Sequence, residues 1–237
     1  MNDLPGANDA PGTTVLFPGA GSFGGEFQPL TAALGPAART IRYPGRQGRD
    51  FGVPAPSFDA VVRSCAEQIA RRGPVRPVFC GHSYGAYVAY ATAVRLEETG
   101  TEVAALVVSG AVAPGLLEVP QKATASHADA ATYLDDVDPA ALAGAPSDEW
   151  REIVVDATLQ DLRLLARFEA PTAPSLGCPV LALRGDADPL TSAPALVPWH
   201  GVTSGPFSVH TFAGGHTDVL RSPACTAWLV EALGRLS

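Results

Sequence analysis

Residues 81–85, Gly81-His82-Ser83-Tyr84-Gly85, place a serine between two glycines, and carboxylates and a histidine that could activate it lie far downstream. A serine hydroxyl is a weak nucleophile until a base takes its proton, and an acid must hold that base in one tautomer. Five histidines are available as the base. His82 sits inside the pentapeptide and is expected to point away from Ser83. His127 precedes the candidate acids, and His200 and His210 read as helix-end and in-strand positions. His216, after Ala213-Gly214-Gly215, lies on a flexible loop at a strand end and is the expected base. The acid belongs to Arg184-Gly185-Asp186-Ala187-Asp188-Pro189, where two carboxylates compete. Asp188 lies farther past the preceding strand and can reach the histidine loop, whereas Asp186 suits a turn cap.

A serine of this kind works only on a tight turn from a strand into a helix. An apolar stretch at 75–80 supplies the strand, and small and apolar residues on a helical period at 86–98 supply the helix. Gly81 and Gly85 remove the Cβ atoms that such a turn would drive into its neighbours. The chain order Ser, Asp, His is that of the α/β-hydrolase arrangement. Two backbone N–H donors must then face the developing oxyanion. One is expected from Tyr84, after the serine, and the other from Ala20 in Phe17-Pro18-Gly19-Ala20-Gly21. That loop also spells Gly19-x-Gly21-x-x-Gly24, a dinucleotide fingerprint. The acid required about 20 residues later is absent, because the next strand ends in Tyr43-Pro44 with Arg42 the charge beside it. No cofactor is expected.

Strands are expected at 13–18, 37–43, 75–80, 103–111, 178–183 and 207–212. Helices are expected from 25 or 26 to 34, at 58–72 with Ser57 as N-cap, at 86–98 and at 223–236. Between 113 and 174 strand character disappears, and helical patterns run over 126–136 and 147–168. Strands alternating with helices imply an α/β protein with a mostly parallel central sheet, helices on both faces and a helical lid insertion at about 113–174. At 237 residues, 46% of them hydrophobic, the chain suits a single domain over 13–237 with a polar tail, 1–12, expected to be disordered. The tail lacks the basic and apolar regions of a signal peptide, and no stretch approaches ~18 uninterrupted apolar residues. Four cysteines without CxxC spacing read as free core thiols, which suits a cytoplasmic location and supplies no metal site. A net charge of −8 argues against nonspecific nucleic-acid binding, although arginines cluster at Arg39, Arg42, Arg46 and Arg49.

Taken together, the motifs resemble the type II thioesterases that accompany modular polyketide and nonribosomal peptide synthetases. The resemblance rests on Phe17-Pro18-Gly19-Ala20-Gly21, Tyr43-Pro44-Gly45-Arg46 with Arg49, Gly81 to Ala86, Val108-Ser109-Gly110 with Ala113-Pro114, and Gly214-Gly215-His216, in the family's order. It implies a serine hydrolase that removes acyl groups from the phosphopantetheine arm of a carrier protein, for editing or chain release. Ser83 would be nucleophile, His216 base and Asp188 its orienting acid. It further implies a mobile lid over an acyl pocket, to which Phe17, Phe23, Leu134, Phe168 and Thr217 are assigned, and a monomer. Tyr84 replaces a more usual methionine and Thr217-Asp218 replace more usual aromatics; both departures are expected to alter the pocket wall. A carboxylesterase or lactonase acting on free small esters, or a non-catalytic synthase-binding protein, remain the alternatives.

Overall fold

The structure, a computed structural model, describes residues 13–71, 76–171 and 175–236. The expected tail at 1–12, the last residue of the 58–72 helix, the start of the 75–80 strand and the end of the insertion lie outside them. Six strands form one sheet: β1 (Thr14–Phe17), β2 (Ala38–Thr40), β3 (Val78–His82), β4 (Ala105–Ser109), β5 (Val180–Gly185) and β6 (Phe207–Phe212). Their order is β2-β1-β3-β4-β5-β6, and every pairing is parallel. The described α-helices are α1 (Gln28–Leu34), α2 (Phe58–Ala70), α3 (Tyr84–Glu98), α4 (Gln121–Ala125), α5 (His127–Val137), α6 (Pro139–Ala143), α7 (Asp148–Leu165), α8 (Ala193–Leu196), α9 (Asp218–Arg221) and α10 (Pro223–Leu236).

The central strands β1, β3 and β4 are buried on both faces, as parallel strands usually are, the edge strands β2 and β6 are half-buried, and alternate residues serve two separate cores. Val15, Phe17, Phe79, Leu106, Val108, Val180 and Ala182 face one side, where they join residues of α2 and α3. Leu16, Val78, Cys80, Ala105, Val107 and Leu183 face the other, against Leu30 of α1 and Cys225, Leu229 and Leu233 of α10. β2 is shorter than its apolar run. Beyond Thr40 the Ile41 amide still donates to Leu16 (2.8 Å), but Pro44 has no N–H with which to continue a ladder.

Between β4 and β5 the insertion comprises α4 to α7, twice the expected number of helices. α4 and α6 have five residues each, too few for a helical period to show in sequence. α5 and α7 start on serines: Ser126 Oγ accepts from the Asp129 amide and Ser147 Oγ from the Trp150 amide, each at 3.2 Å. Such caps contribute about 1 kcal/mol apiece. The insertion has a small core of its own, built from Ala130, Leu134, Leu142, Val154, Val155 and Leu159, with Phe23 and Trp150 packed against it.

The strand order places a reversal between β1 and β3. The chain leaves β1 toward β2 on one side, then returns to lay β3 on the other. Loops at the carboxyl ends of strands flanking such a reversal diverge and leave a crevice. Phe17 pairs with Gly81, so the loop after β1 and the turn after β3 emerge side by side. The contact is main chain on main chain: a Cβ on Gly85 would lie 2.1 Å from the Phe17 carbonyl oxygen and 2.4 Å from that of Pro18. Gly85→Ala is therefore expected to cost about 1–3 kcal/mol, lowering Tm by several degrees in thermal unfolding. Gly25→Ala, where an added Cβ would meet nothing within 4 Å, should leave Tm unchanged.

Candidate active site

Ser83 occupies the turn between β3 and α3 with φ 52° and ψ −122°, a conformation that L-residues reach only under constraint. The constraint is local. Its amide donates to Ser109 of β4 (2.8 Å), and its carbonyl accepts from Ala86 (2.9 Å). A Cβ on Gly81 would lie 2.4 Å from the Gly85 carbonyl oxygen, so a side chain there would push β3 and α3 apart. The first turn of α3 begins at Tyr84, immediately after Ser83, which puts the helix dipole behind the hydroxyl.

β5 and β6 deliver the other two groups. Gly185 pairs with Phe212 at the end of both strands, so the loops that follow run together. Asp188 and His216 meet there, with Nδ1 3.0 Å from both carboxylate oxygens. Burial alone would raise the Asp188 carboxyl, but hydrogen bonds from His216, Thr191 and the Leu190 amide, with the electrostatic attraction of the His216 ring, hold it below the usual range. An ionised carboxylate only accepts, so Nδ1 must carry the proton that it shares with Asp188. Nε2 is then an acceptor. It is buried and has no hydrogen-bond partner among the described residues, and His216 lines the same cavity as Ser83. This tautomer can take a proton from a hydroxyl.

Asp186 does something different. Its Oδ1 accepts from the Gly214 amide at 3.0 Å, and it thereby fastens the histidine loop to the β5 turn. His82 departs from its expected orientation. Rather than turning away from the site, its ring lies 4.7 Å from that of His216 and lines the cavity. Its Nδ1 and Nε2 approach Ser109 Oγ and Thr217 Oγ1, each at 3.4 Å. Burial and the neighbouring His216 lower its pKa, which makes it a neutral shelf under the His216 ring. Register accounts for the Ser109 contact: His82 pairs with Ser109 at the end of β4, which sets the two side chains on one face of the sheet.

The loop after β1 is fixed amide by amide. Gly19 N–H donates to Glu26 Oε1 (2.8 Å), Gly21 N–H to Asp161 Oδ2 (2.9 Å) and Ser22 N–H to the Gly19 carbonyl (3.1 Å). The Ala20 amide between them takes no partner among the described residues and Ala20 lines the cavity beside Ser83. Of the amides from Gly19 to Ser22, that of Ala20 is thus the one left unpaired among the described residues. Sequence reading missed the residues that impose this: Glu26, Asp161 and Arg46, which pairs with Asp161. Arg46 lay within a quoted motif, but Asp161 is 140 residues from Gly21 and no local pattern joins them.

A cavity of about 430 Å³ opens onto Ser83 under α5, α6 and α7. Phe23, Leu134 and Thr217 lie on its wall, with Trp150, Val154 and Leu162. Two expected wall residues do not. Phe17 is fully buried beneath the sheet surface, 5.0 Å from the Phe79 ring, because alternation along β1 turns it into the α2–α3 core. Phe168 follows the end of α7 and packs on Phe58 (4.8 Å) and Tyr87 (5.8 Å). The Tyr84 side chain likewise leaves the wall: it is buried edge-on to Tyr43 (5.5 Å) and near Phe58 (6.0 Å). All four cysteines are free and buried, burial pushes the Cys178 and Cys225 thiols up to about 12, and none of the four lines the cavity that Ser83 lines.

The thioesterase-domain family profile matches residues 13–232. The chain is 32% identical over 214 residues to thioesterase PikA5 of Streptomyces venezuelae, covering 85% of this chain and 73% of that protein. It is 29% identical over 204 residues to a probable cadicidin biosynthesis thioesterase of Streptomyces griseus, covering 85% of this chain and 56% of that one, so it spans little more than half of that relative's length. Among solved structures it is similar to the type II thioesterase BorB from the borrelidin biosynthetic cluster, with a TM-score of 0.82, 29% identity and coverage of 96% and 94%. Its fold also matches that of the RedJ thioesterase from the prodiginine pathway of Streptomyces coelicolor, with a TM-score of 0.83, 24% identity and coverage of 99% and 96%. The α/β-hydrolase architecture expected from the motif order is the one these proteins share with the chain.

The two aspartates should separate cleanly in the rate at which a fluorophosphonate labels Ser83. Asp188→Asn should slow labelling by about 10³- to 10⁴-fold, because the histidine then loses its tautomer. Asp186→Asn should slow it far less, since it loosens the histidine loop without altering the proton on Nδ1. The reverse ranking would show that Asp186 orients the base.

Proposed function

Since this chain belongs to the thioesterase-domain family, we propose that it hydrolyses acyl thioesters on the phosphopantetheine arm of carrier proteins of a polyketide or nonribosomal peptide synthase. Its task would be to clear stalled acyl groups or to release finished chains. The observation that carries this reading is the pairing of Asp188 with His216 in the cavity that Ser83 also lines, roofed by helices. The likeness to thioesterases of biosynthetic clusters supports the substrate class.

In this reading Ser83 Oγ attacks the thioester carbonyl carbon while His216 Nε2 accepts its proton. Charge on the carbonyl oxygen is met by the Ala20 and Tyr84 amides. The C–S bond breaks, and the pantetheine sulfur leaves as a thiol with the proton from His216. A thiol of pKa about 8.5 leaves far more readily than an amine, so proton delivery contributes less here than in peptide cleavage. Water, deprotonated by the same nitrogen, attacks the acyl-serine; the acid departs and Ser83 recovers its proton. α4 to α7 act as a lid over residues 13–237 taken as one domain, and Phe23, Leu134, Trp150 and Val154 enclose the acyl group.

The deciding measurement compares kcat/KM on an acyl-carrier-protein thioester with that on a nitrophenyl ester of the same acyl group. A large preference for the carrier-bound substrate, abolished in Ser83→Ala, is expected. Indifference to the carrier would point instead to an esterase of free small molecules, and activity surviving in Ser83→Ala would overturn the assignment of the nucleophile.

A further inference from the structure

The last helix of the insertion does more than roof the cavity. Near residues 154–161, α7 rests directly on the loop after β1. Gly21 has φ 70°, and a Cβ there would fall 1.9 Å from Thr158 Oγ1 and 2.7 Å from the Val154 carbonyl oxygen. No side chain fits between loop and helix at this point. Thr158 Oγ1 donates back to Val154 (2.8 Å), so the hydroxyl leaves the Gly21 amide to Asp161. The same Asp161 oxygen, Oδ2, receives Arg46 Nη2 from the loop after β2. Both side chains are nearly sealed from solvent, 10% exposed for Arg46 and 8% for Asp161. The Arg46 guanidinium also lies 5.3 Å over the Phe23 ring, and Phe23 packs 4.8 Å from Trp150 of α7 on the cavity wall.

An ion pair of this kind is poorly explained by stability, because apolar residues of similar volume often hold a buried helix as well or better. The other buried positions of α7 are mainly Val, Leu and Ala. What an apolar side chain at 161 could not do is accept the Gly21 amide. From this geometry we infer that Asp161 is a positioning residue: with Arg46, it latches α7 to the loop that presents the Ala20 oxyanion donor, so that the donor is set only while α7 is seated. The inference rests on the thioester-hydrolase reading for the identity of that donor.

The two anchors of the donor loop have different owners. Glu26, which holds Gly19, stands in the turn leading into α1 and belongs to the sheet body. Asp161, which holds Gly21, belongs to the insertion. Displacement of α7 by more than a hydrogen-bond length frees the Gly21 side of the Ala20 peptide and leaves the Gly19 side tied. Ser83, Asp188 and His216 have no such tether to α7, because all three hang from strand ends. An open lid therefore leaves the nucleophile and base in place and removes one oxyanion donor. A closed lid, packed on an acyl group against Phe23 and Trp150, restores it.

The test uses the full chain with both a nitrophenyl ester and an acyl-carrier thioester, and compares Asp161→Leu, which keeps the bulk and removes the acceptor, with Ala20→Pro and the double variant. Asp161→Leu is expected to lower kcat by about ten- to a hundredfold, short of the full loss of a donor, with KM within about threefold. Affinity for a trifluoromethyl ketone, which adds Ser83 and forms an oxyanion, should fall by the same factor as kcat. Ala20→Pro deletes the donor, so adding Asp161→Leu to it should cost nothing further. An unchanged kcat, a loss carried by KM, or additive losses in the double variant would each overturn the inference. A wild-type measurement answers it independently of how the variants fold. Amide hydrogen exchange in 19–24 and in α7 should slow together when a long-chain acyl phosphonate is attached to Ser83, and slowing of one without the other would sink the coupling. Wild-type enzyme inactive on both substrates would refute the proposed function instead, and the exchange experiment would still report on the latch.

Discussion

The close approach of two backbones, at the end of β1 and the start of α3, is what the rest of the site depends on. Gly85 lets the first turn of α3 press against the carbonyls of Phe17 and Pro18, and Gly81 lets β3 and α3 meet around Ser83. Holding a serine at φ 52° costs roughly 1–3 kcal/mol, which only a rigid, well-packed surround can impose. That surround is the centre of the sheet, where β1, β3 and β4 are buried on both faces. The contact also sets the distance between the loop after β1 and the turn after β3. The chain segments that carry the Ala20 and Tyr84 amides are fixed side by side there without intervening side chains.

Around this contact, buried carboxylates serve as acceptors for main-chain amides. Glu26 takes Gly19, Asp161 takes Gly21 and Asp188 takes Leu190, each at 2.8 to 2.9 Å. Loops of this length carry amides that no strand or helix satisfies, and a buried unpaired amide is costly. A carboxylate with two oxygens can satisfy an amide and still engage a second group: Ser22 for Glu26, Arg46 for Asp161, and His216 for Asp188. The loops are thus shaped by the groups that also act on one another across the cavity. Chemistry and loop conformation share the same bonds.

What could be read from the sequence follows the range of the interactions involved. The elbow was legible because the residues that form its turn lie within five positions, and the central strands because burial on both faces leaves continuous apolar runs. Asp188 and His216 were legible from order along the chain and their place after late strands. Side-chain direction was less so. Phe17 and Tyr84 look like pocket residues by proximity to Ala20 and Ser83, yet strand alternation and the first turn of α3 send both into the core. His82 was read as turned away because the motif alone does not reveal its pairing with Ser109. α4, α6, α8 and α9 have only four or five residues, fewer than a periodic pattern needs. Asp161 was beyond reach, since position 161 of an otherwise amphipathic helix reads as an exposed acid until the fold lays it against Gly21.

The division between body and insertion bears on how a hydrolase with so reactive a substrate avoids waste. Thioesters need little help in expelling their leaving group, so a permanently assembled site would hydrolyse any acyl chain that reached Ser83. Selectivity must then come from a step that only some chains complete. Ser83, Asp188 and His216, the proposed nucleophile, acid and base, follow β3, β5 and β6 of the body. The oxyanion loop, by contrast, is held at one end by the body and at the other by α7. Under the inferred latch, binding energy from an acyl group packed under α5, α6 and α7 would be spent on aligning a transition-state contact, and discrimination would appear in turnover rather than in affinity. In that scheme a short chain that leaves Phe23 and Trp150 unfilled would give α7 less reason to stay seated, and it would meet Ser83 with an incomplete oxyanion hole.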